Sequence, residues 1–120
     1  MPIEYSWRAK AARMDAVRVL LDGGRLALMD GALTTLADVR LEPRSGEVIA
    51  GLLVLNGFPK IVEAFATGEL TRAALYGVTG ELVGGGLTVG TGDDADITVN
   101  IAQVTKGNLI KIDAAELRHA

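Results

Sequence analysis

After residue 24 the sequence breaks into short apolar runs separated by Gly, Pro, Asn and Asp. Runs recurring at roughly 8–12-residue spacing with glycine-rich turns predict a mainly β chain, an antiparallel β-sandwich or barrel-like domain. The composition agrees: 15 Gly and only 4% aromatic residues suit a chain of short strands and many turns. At 120 residues the expectation is a single domain with enough chain to bury a core.

Several runs carry a clear signal. Arg25–Asp30 reads as a strand closed by Gly31. In 34–42, Ala37, Val39 and Leu41 alternate with Asp38, Arg40 and Glu42, the pattern of a half-buried strand. Val48–Leu55 is apolar on both faces and reads as one central strand, ended by Asn56-Gly57 and Pro59. Residues 60–68 fit helix or strand, whereas Leu70–Tyr76 favours strand. Leu82–Gly90 contains Gly84-Gly85-Gly86, which predicts a bulge or a bend within a strand. Ile97, Val99 and Ile101 alternate with Thr98 and Asn100, and a turn at Gly107 leads into Leu109–Ile112. The β body is thus expected over 25–112, with 113–120 as a tail that extends the last strand or frays.

Ahead of the strands lies one amphipathic segment. Trp7, Ala11, Met14, Val17 and Leu21 recur at helical spacing as a single apolar stripe. Ser6 is a suitable N-cap and Asp22-Gly23-Gly24 a suitable stop, so a helix is expected over 7–22, behind an arm of residues 1–6. The stripe needs a cover, either the body of the same subunit or a neighbour. Tyr5, Trp7, Arg8, Met14, Arg18 and Leu21 are therefore the candidate partner-contact residues.

Charge and composition restrict the chemistry. Twelve basic and 15 acidic side chains give a net charge of −3, which argues against nucleic acid as a partner. Through Arg25 the chain has five basic and three acidic residues (+2); the remainder has seven and twelve (−5). A basic helix and an acidic body suit docking between identical subunits, although a solvated helix face explains the same spacing. There is no Cys, hence no disulfide, thiolate nucleophile or Cys-based metal site. The one His, His119, is second from the end. No secretory pattern and no run of about 18 apolar residues is visible, so no membrane association is expected and synthesis is expected in the cytoplasm.

Four features invite a chemical reading, and each has a plainer one. Asp93, Asp94 and Asp96 resemble a calcium loop, but the Gly precedes the acids and no Glu follows at the required distance. Gly84–Gly86 resembles a phosphate loop, but a strand-like acidic stretch follows rather than a helix. Glu63, Glu69, Glu81 and Glu116 are separate carboxylates that nothing in the sequence brings together for glycoside hydrolysis. Arg118 and His119 are terminal. No catalytic residue, cofactor or metal is therefore expected.

The order of segments carries a resemblance that these motifs do not. Arg13–Gly24 has the form R-x-D-A-V-R-x-L-L-D-G-G (with Met14 after Arg13), followed by L-x-L-x-D-G at Leu26–Gly31 and L-A-D-V-R-L at Leu36–Leu41. Near the end comes G-L-T-V-G-T-G-D-D-A-D-I-T-V-N, Gly86–Asn100, then the Gly107 turn and a closing strand. From about Ala12 to Ile112 the chain resembles a group of small virion structural proteins of tailed bacteriophages. The acidic stretch differs from the group's pattern by one additional Asp. The resemblance implies a non-enzymatic, self-assembling particle component that contacts the major capsid protein or other virion subunits, as a capsid decoration (cement) protein. Alternatives are a tail, neck or head–tail joining protein and, in another class, a small β-sandwich carbohydrate-binding module. Scarce aromatic residues disfavour the last.

Overall fold

In the computed structural model, which describes residues 7–49, 52–92 and 94–118, the chain begins with helix α1, Trp7–Leu21. Eleven strands follow: β1 (Arg25–Met29), β2 (Thr35–Arg40), β3 (Gly46–Ile49), β4 (Leu52–Leu55), β5 (Lys60–Glu63), β6 (Gly68–Glu69), β7 (Arg72–Tyr76), β8 (Leu82–Gly90), β9 (Ile97–Val99), β10 (Gln103–Val104) and β11 (Leu109–Arg118). The mainly β, barrel-like expectation with one N-terminal helix is met: the chain forms a half-barrel, a curled sheet accompanied by the helix.

The large sheet runs β2-β1-β7-β8-β9-β11-β4-β3, with β5 joining β11 beyond β4. β4 and β5 thus lie in succession along one side of β11, against Glu116–Arg118 and Leu109–Ile112 respectively. β6 and β10 form a separate two-stranded ribbon. All pairings are antiparallel except β8 with β9, where Val89 and Gly90 lie beside Ile97 and Thr98. The all-antiparallel expectation is corrected at that single point.

The alternation seen in the sequence places the core. Leu26 and Leu28 of β1, Leu75 of β7, Ile97 and Val99 of β9, and Ile110 and Ile112 of β11 are essentially inaccessible. Leu53 and Leu55 complete this layer from β4. α1 packs against β3, β4 and β8, and Met14 and Leu21 insert into the same apolar cluster. Removing a leucine side chain of this kind from water stabilises a fold by roughly 1.5–3 kcal/mol.

Two boundaries differ from the sequence reading. Val48–Leu55 is not one central strand. It contributes to β3 and β4, which pair antiparallel with Ile49 opposite Leu52. Its two-faced apolar character has a simple cause: Leu53 and Leu55 face the core while Val48 and Val54 are half-buried, with α1 packed over this hairpin. Residues 113–118 do not fray but continue β11 as far as Arg118. There Ala115 and Leu117 are buried and Glu116 is exposed, an alternation in which a small Ala stands for one inward position. In the ambiguous 60–68 stretch, Lys60–Glu63 is extended as β5 and Gly68 begins β6. The triple glycine remains within β8, where the ladder to β7 shifts register twice and Gly86 takes φ +70°.

Candidate interaction surfaces

The helix residues expected to meet a partner divide into three groups. Met14 and Leu21 are 5% and 0% exposed, so this subunit's own core covers them and they offer no surface for docking. Arg18 is turned onto its own helix: its Nε donates to Asp15 at 2.9 Å and its guanidinium to Asp22 at 3.0 Å, leaving the side chain 12% exposed. Tyr5 lies outside the described residues, and the side chains of Trp7 and Arg8 likewise; Trp7 contributes only the first helical backbone position. Among the described side chains of α1, the large apolar residues that are exposed are instead Val19 and Leu20, which fall off the expected stripe.

Asp22 ties the helix end to the loop before β3. Its Oδ1 accepts the Ser45 backbone N–H at 2.8 Å and the Ser45 hydroxyl at 3.0 Å. The same hydroxyl reaches the Arg18 carbonyl oxygen at 2.8 Å, and Ser45 is fully buried. Burial pushes the Asp22 carboxyl up, but the Ser45 donors and the Arg18 charge outweigh it and hold the group below its ordinary value. The sequence showed Asp22 only as part of a helix stop; nothing in it indicated Ser45.

At the same end of the sheet, β1 begins opposite the end of β2, which sets Arg25 directly against Arg40. Like charges opposed across a ladder destabilise unless something offsets them. Arg25 is offset by Asp38 at 3.4 Å and by the Tyr76 ring, whose centroid lies 4.9 Å from the guanidinium. Arg40 has no ion pair among the described residues. The two arginines, Asp38, Gly23–Gly24 and the Gly77–Gly80 turn line a shallow open groove. Beside it the Thr79 hydroxyl donates to the Glu81 carboxylate, which holds that carboxyl below its usual range.

The suspected carboxylate sites separate in space. Glu63 lies on β5, Glu69 on β6, Glu81 after the β7 turn and Glu116 on β11. Among the described residues no group of three His, Asp or Glu converges. Asp93 and His119 lie outside the described residues, and Asp94 is exposed. Asp96 serves the fold itself. Its Oδ2 accepts the backbone N–H and hydroxyl of Thr88 at 3.1 and 3.2 Å, while its own N–H donates to Thr88 Oγ1 at 3.0 Å. This reciprocal clasp holds β8 beside β9 across a connection of only six residues, 91–96, where parallel strands ordinarily require about a dozen.

Exposed apolar side chains elsewhere mark further surfaces. Ile61 and Leu109, 67% and 63% exposed, lie diagonally on one face of the β5–β11 ladder, beside Glu63 and Lys111. Val78 and Leu82 are exposed around the start of β8. No helix of the described residues is long and apolar enough to cross a membrane. No family model, curated protein or solved structure matches the chain.

Proposed function

We propose that the chain is a non-enzymatic structural component of a tailed-bacteriophage particle, a capsid decoration protein that stabilises the head by subunit contacts. The observation that carries the reading is the Gly86–Asn100 stretch, the most specific part of the sequence resemblance. Its polar residues Thr88 and Asp96 bond to each other and hold a loop, a role suited to a rigid contact body. The scattered exposed apolar side chains Val19, Leu20, Ile61 and Leu109 support the same reading, because many modest contacts suffice when the partner is a repeating lattice.

Quantitative mass spectrometry of purified particles of the encoding phage tests the proposal. Decoration predicts hundreds of copies per particle, released as intact subunits by mild denaturant before the shell dissociates. A stoichiometry of about a dozen, the size of a neck ring, would replace decoration by a joining role. Absence from the particle would overturn both.

A further inference from the structure

We propose that Asn56 is a self-modification site, where the backbone nitrogen of Gly57 attacks the Asn56 side-chain amide and the turn after β4 converts with time to aspartate and isoaspartate. The inference is independent of the assembly role proposed above. Of the three asparagines in the chain only Asn56 precedes a glycine; Ile101 and Leu109 follow the other two. Ring closure is intramolecular, so its rate depends on how freely the next nitrogen reaches Cγ. A residue without a Cβ obstructs that approach least. The Gly57 N–Cγ bond forms and the Cγ–Nδ2 bond breaks, and Nδ2 departs as ammonia with the proton that the Gly57 nitrogen gives up. Water then opens the succinimide at either carbonyl, leaving an ordinary Asp or a backbone routed through the side chain.

Three properties of the fold leave this turn open to the reaction. First, Gly57 is exposed and its N–H has no acceptor among the described residues, so no hydrogen bond has to break before the nitrogen attacks. Asp22-Gly23 is the contrasting case: the Gly23 N–H donates to the Glu42 carbonyl oxygen at 2.9 Å, and the carboxylate, a poorer electrophile than an amide, is held by Ser45 and Arg18. Second, the half-buried Asn56 side chain makes one hydrogen bond among the described residues, from Nδ2 to the Arg44 carbonyl oxygen at 3.2 Å. The side-chain oxygens of Asn100 and Asn108 are instead fixed by the N–H groups of Lys111 and Thr105 at 2.8 and 2.9 Å. Third, the turn requires its glycine. Gly57 has φ +84°, and a Cβ there would run into the Glu42 side chain. The residue that makes the bond labile is therefore one the fold cannot replace.

Conversion reaches the helix through Ser45. The Asn56 N–H donates to the Ser45 carbonyl oxygen at 2.8 Å, and Ser45 in turn holds Asp22. An aspartate at 56 offers the Arg44 carbonyl oxygen no donor, and an isoaspartyl link lengthens the backbone beside this bracket. Both slacken the tie between the β4 turn and the end of α1.

The test is incubation of the folded full chain in mildly alkaline buffer, beside the same chain unfolded in guanidinium chloride and beside folded Asn56→Gln. Peptide mass mapping follows the replacement of ammonia by water, and an isoaspartyl methyltransferase assay counts the rerouted backbone. The expected result is conversion confined to the 56–57 peptide of the folded chain, at a rate comparable with that of the unfolded chain, while Asn100 and Asn108 remain amides. The converted chain should melt at a lower temperature, with faster amide exchange at Ser45 and Asn56. Asn56→Gln, whose ring closure is disfavoured by the longer side chain, should keep its mass and melting temperature over the same period. An Asn56 amide that survives in the folded chain but converts in guanidinium overturns the proposal, because the fold then protects the bond. Equal conversion at all three asparagines of the folded chain overturns it as well. A melting temperature that falls equally in Asn56→Gln, or that does not fall with conversion, overturns the link to the helix. None of these results bears on the particle role, which copy counting tests separately.

Discussion

The backbone N–H of Phe65 donates to the carbonyl oxygen of Leu36 at 2.9 Å, joining the segment after β5 to the outer edge of β2. These two stretches stand near opposite ends of the strand order, so the bond brings the curled sheet toward closure. It also lowers the number of exposed backbone groups on an edge strand, a recurrent hazard of open sheets.

Leu36 is the apolar counterpart of that bond. It is 1% exposed and lies under Gly68, where an added Cβ would come within 3.0 Å of its Cδ1. Leu36→Ala should therefore destabilise the fold by about 2–5 kcal/mol, the range for a leucine truncated in a core that cannot collapse around it. Urea unfolding measures this directly. A loss under about 1 kcal/mol would mean that the contact between β2 and the β5 segment contributes little.

The Asp22–Ser45 contact should make stability depend on acid. The folded carboxyl lies below its ordinary value because the Ser45 donors and Arg18 outweigh burial. A depressed folded pKa contributes stability that is fully present above the unfolded value, about 4, and is lost as pH falls through the folded value. Comparing the parent with Asp22→Asn from neutral pH down to pH ~2 should thus show a stability gap that is level above pH ~5 and narrows below pH ~4. A gap independent of pH would refute the assignment. Ser45→Ala should cost about 1–3 kcal/mol at neutral pH, since it leaves the Arg18 carbonyl and Asp22 short of a donor in a buried place.

Leu33 occupies the turn between β1 and β2 with φ +63°, a left-handed conformation that leucine disfavours by roughly 1–2 kcal/mol. Asp30 sustains it: its Oδ1 accepts the N–H groups of Ala32 and Thr34, both at 2.9 Å. Because Leu33 is 62% exposed, replacing it removes almost no packing. Leu33→Asn should stabilise the chain by about 0.5–1 kcal/mol, seen as a higher melting temperature. A lower melting temperature would show that the side chain packs in a way its exposure does not reveal.

Legibility from sequence followed the strength of periodicity. The helix was readable because Met14, Val17 and Leu21 repeat at its period, and β2 and β9 because apolar and polar residues alternate. The Val48–Leu55 run hid a hairpin because helix cover on one side and core on the other erase alternation, leaving Gly51 as its one breaker. The end of β11 was obscure because Ala114 and Ala115 carry almost no pattern. Contacts such as Asp22 with Ser45 and Thr88 with Asp96 join residues far apart in sequence or a strand with the connection that follows it, and single residue types do not announce them. The open edge of β8 was equally invisible: a glycine run predicts a bend, whereas an unpaired side depends on where β9 departs.

That departure is governed by the Thr88–Asp96 clasp, which supplies three hydrogen bonds where the ladder between β8 and β9 stops. Asp96→Ala removes two of them and leaves the Thr88 N–H without its acceptor. A net loss of about 0.5–1.5 kcal/mol is expected, since Thr88 is exposed, Asp96 only half-buried, and water replaces part of what is removed. The loss should be local before it is global. Amide exchange at Thr88 and Ile97–Val99 should quicken by a larger factor than at Leu26 or Leu28 in the core. Uniform quickening across all of these sites would show that the clasp supports the whole half-barrel rather than the 91–96 connection. Asp96→Asn gives the complementary result, because the amide oxygen still accepts from Thr88 and most of the protection should return.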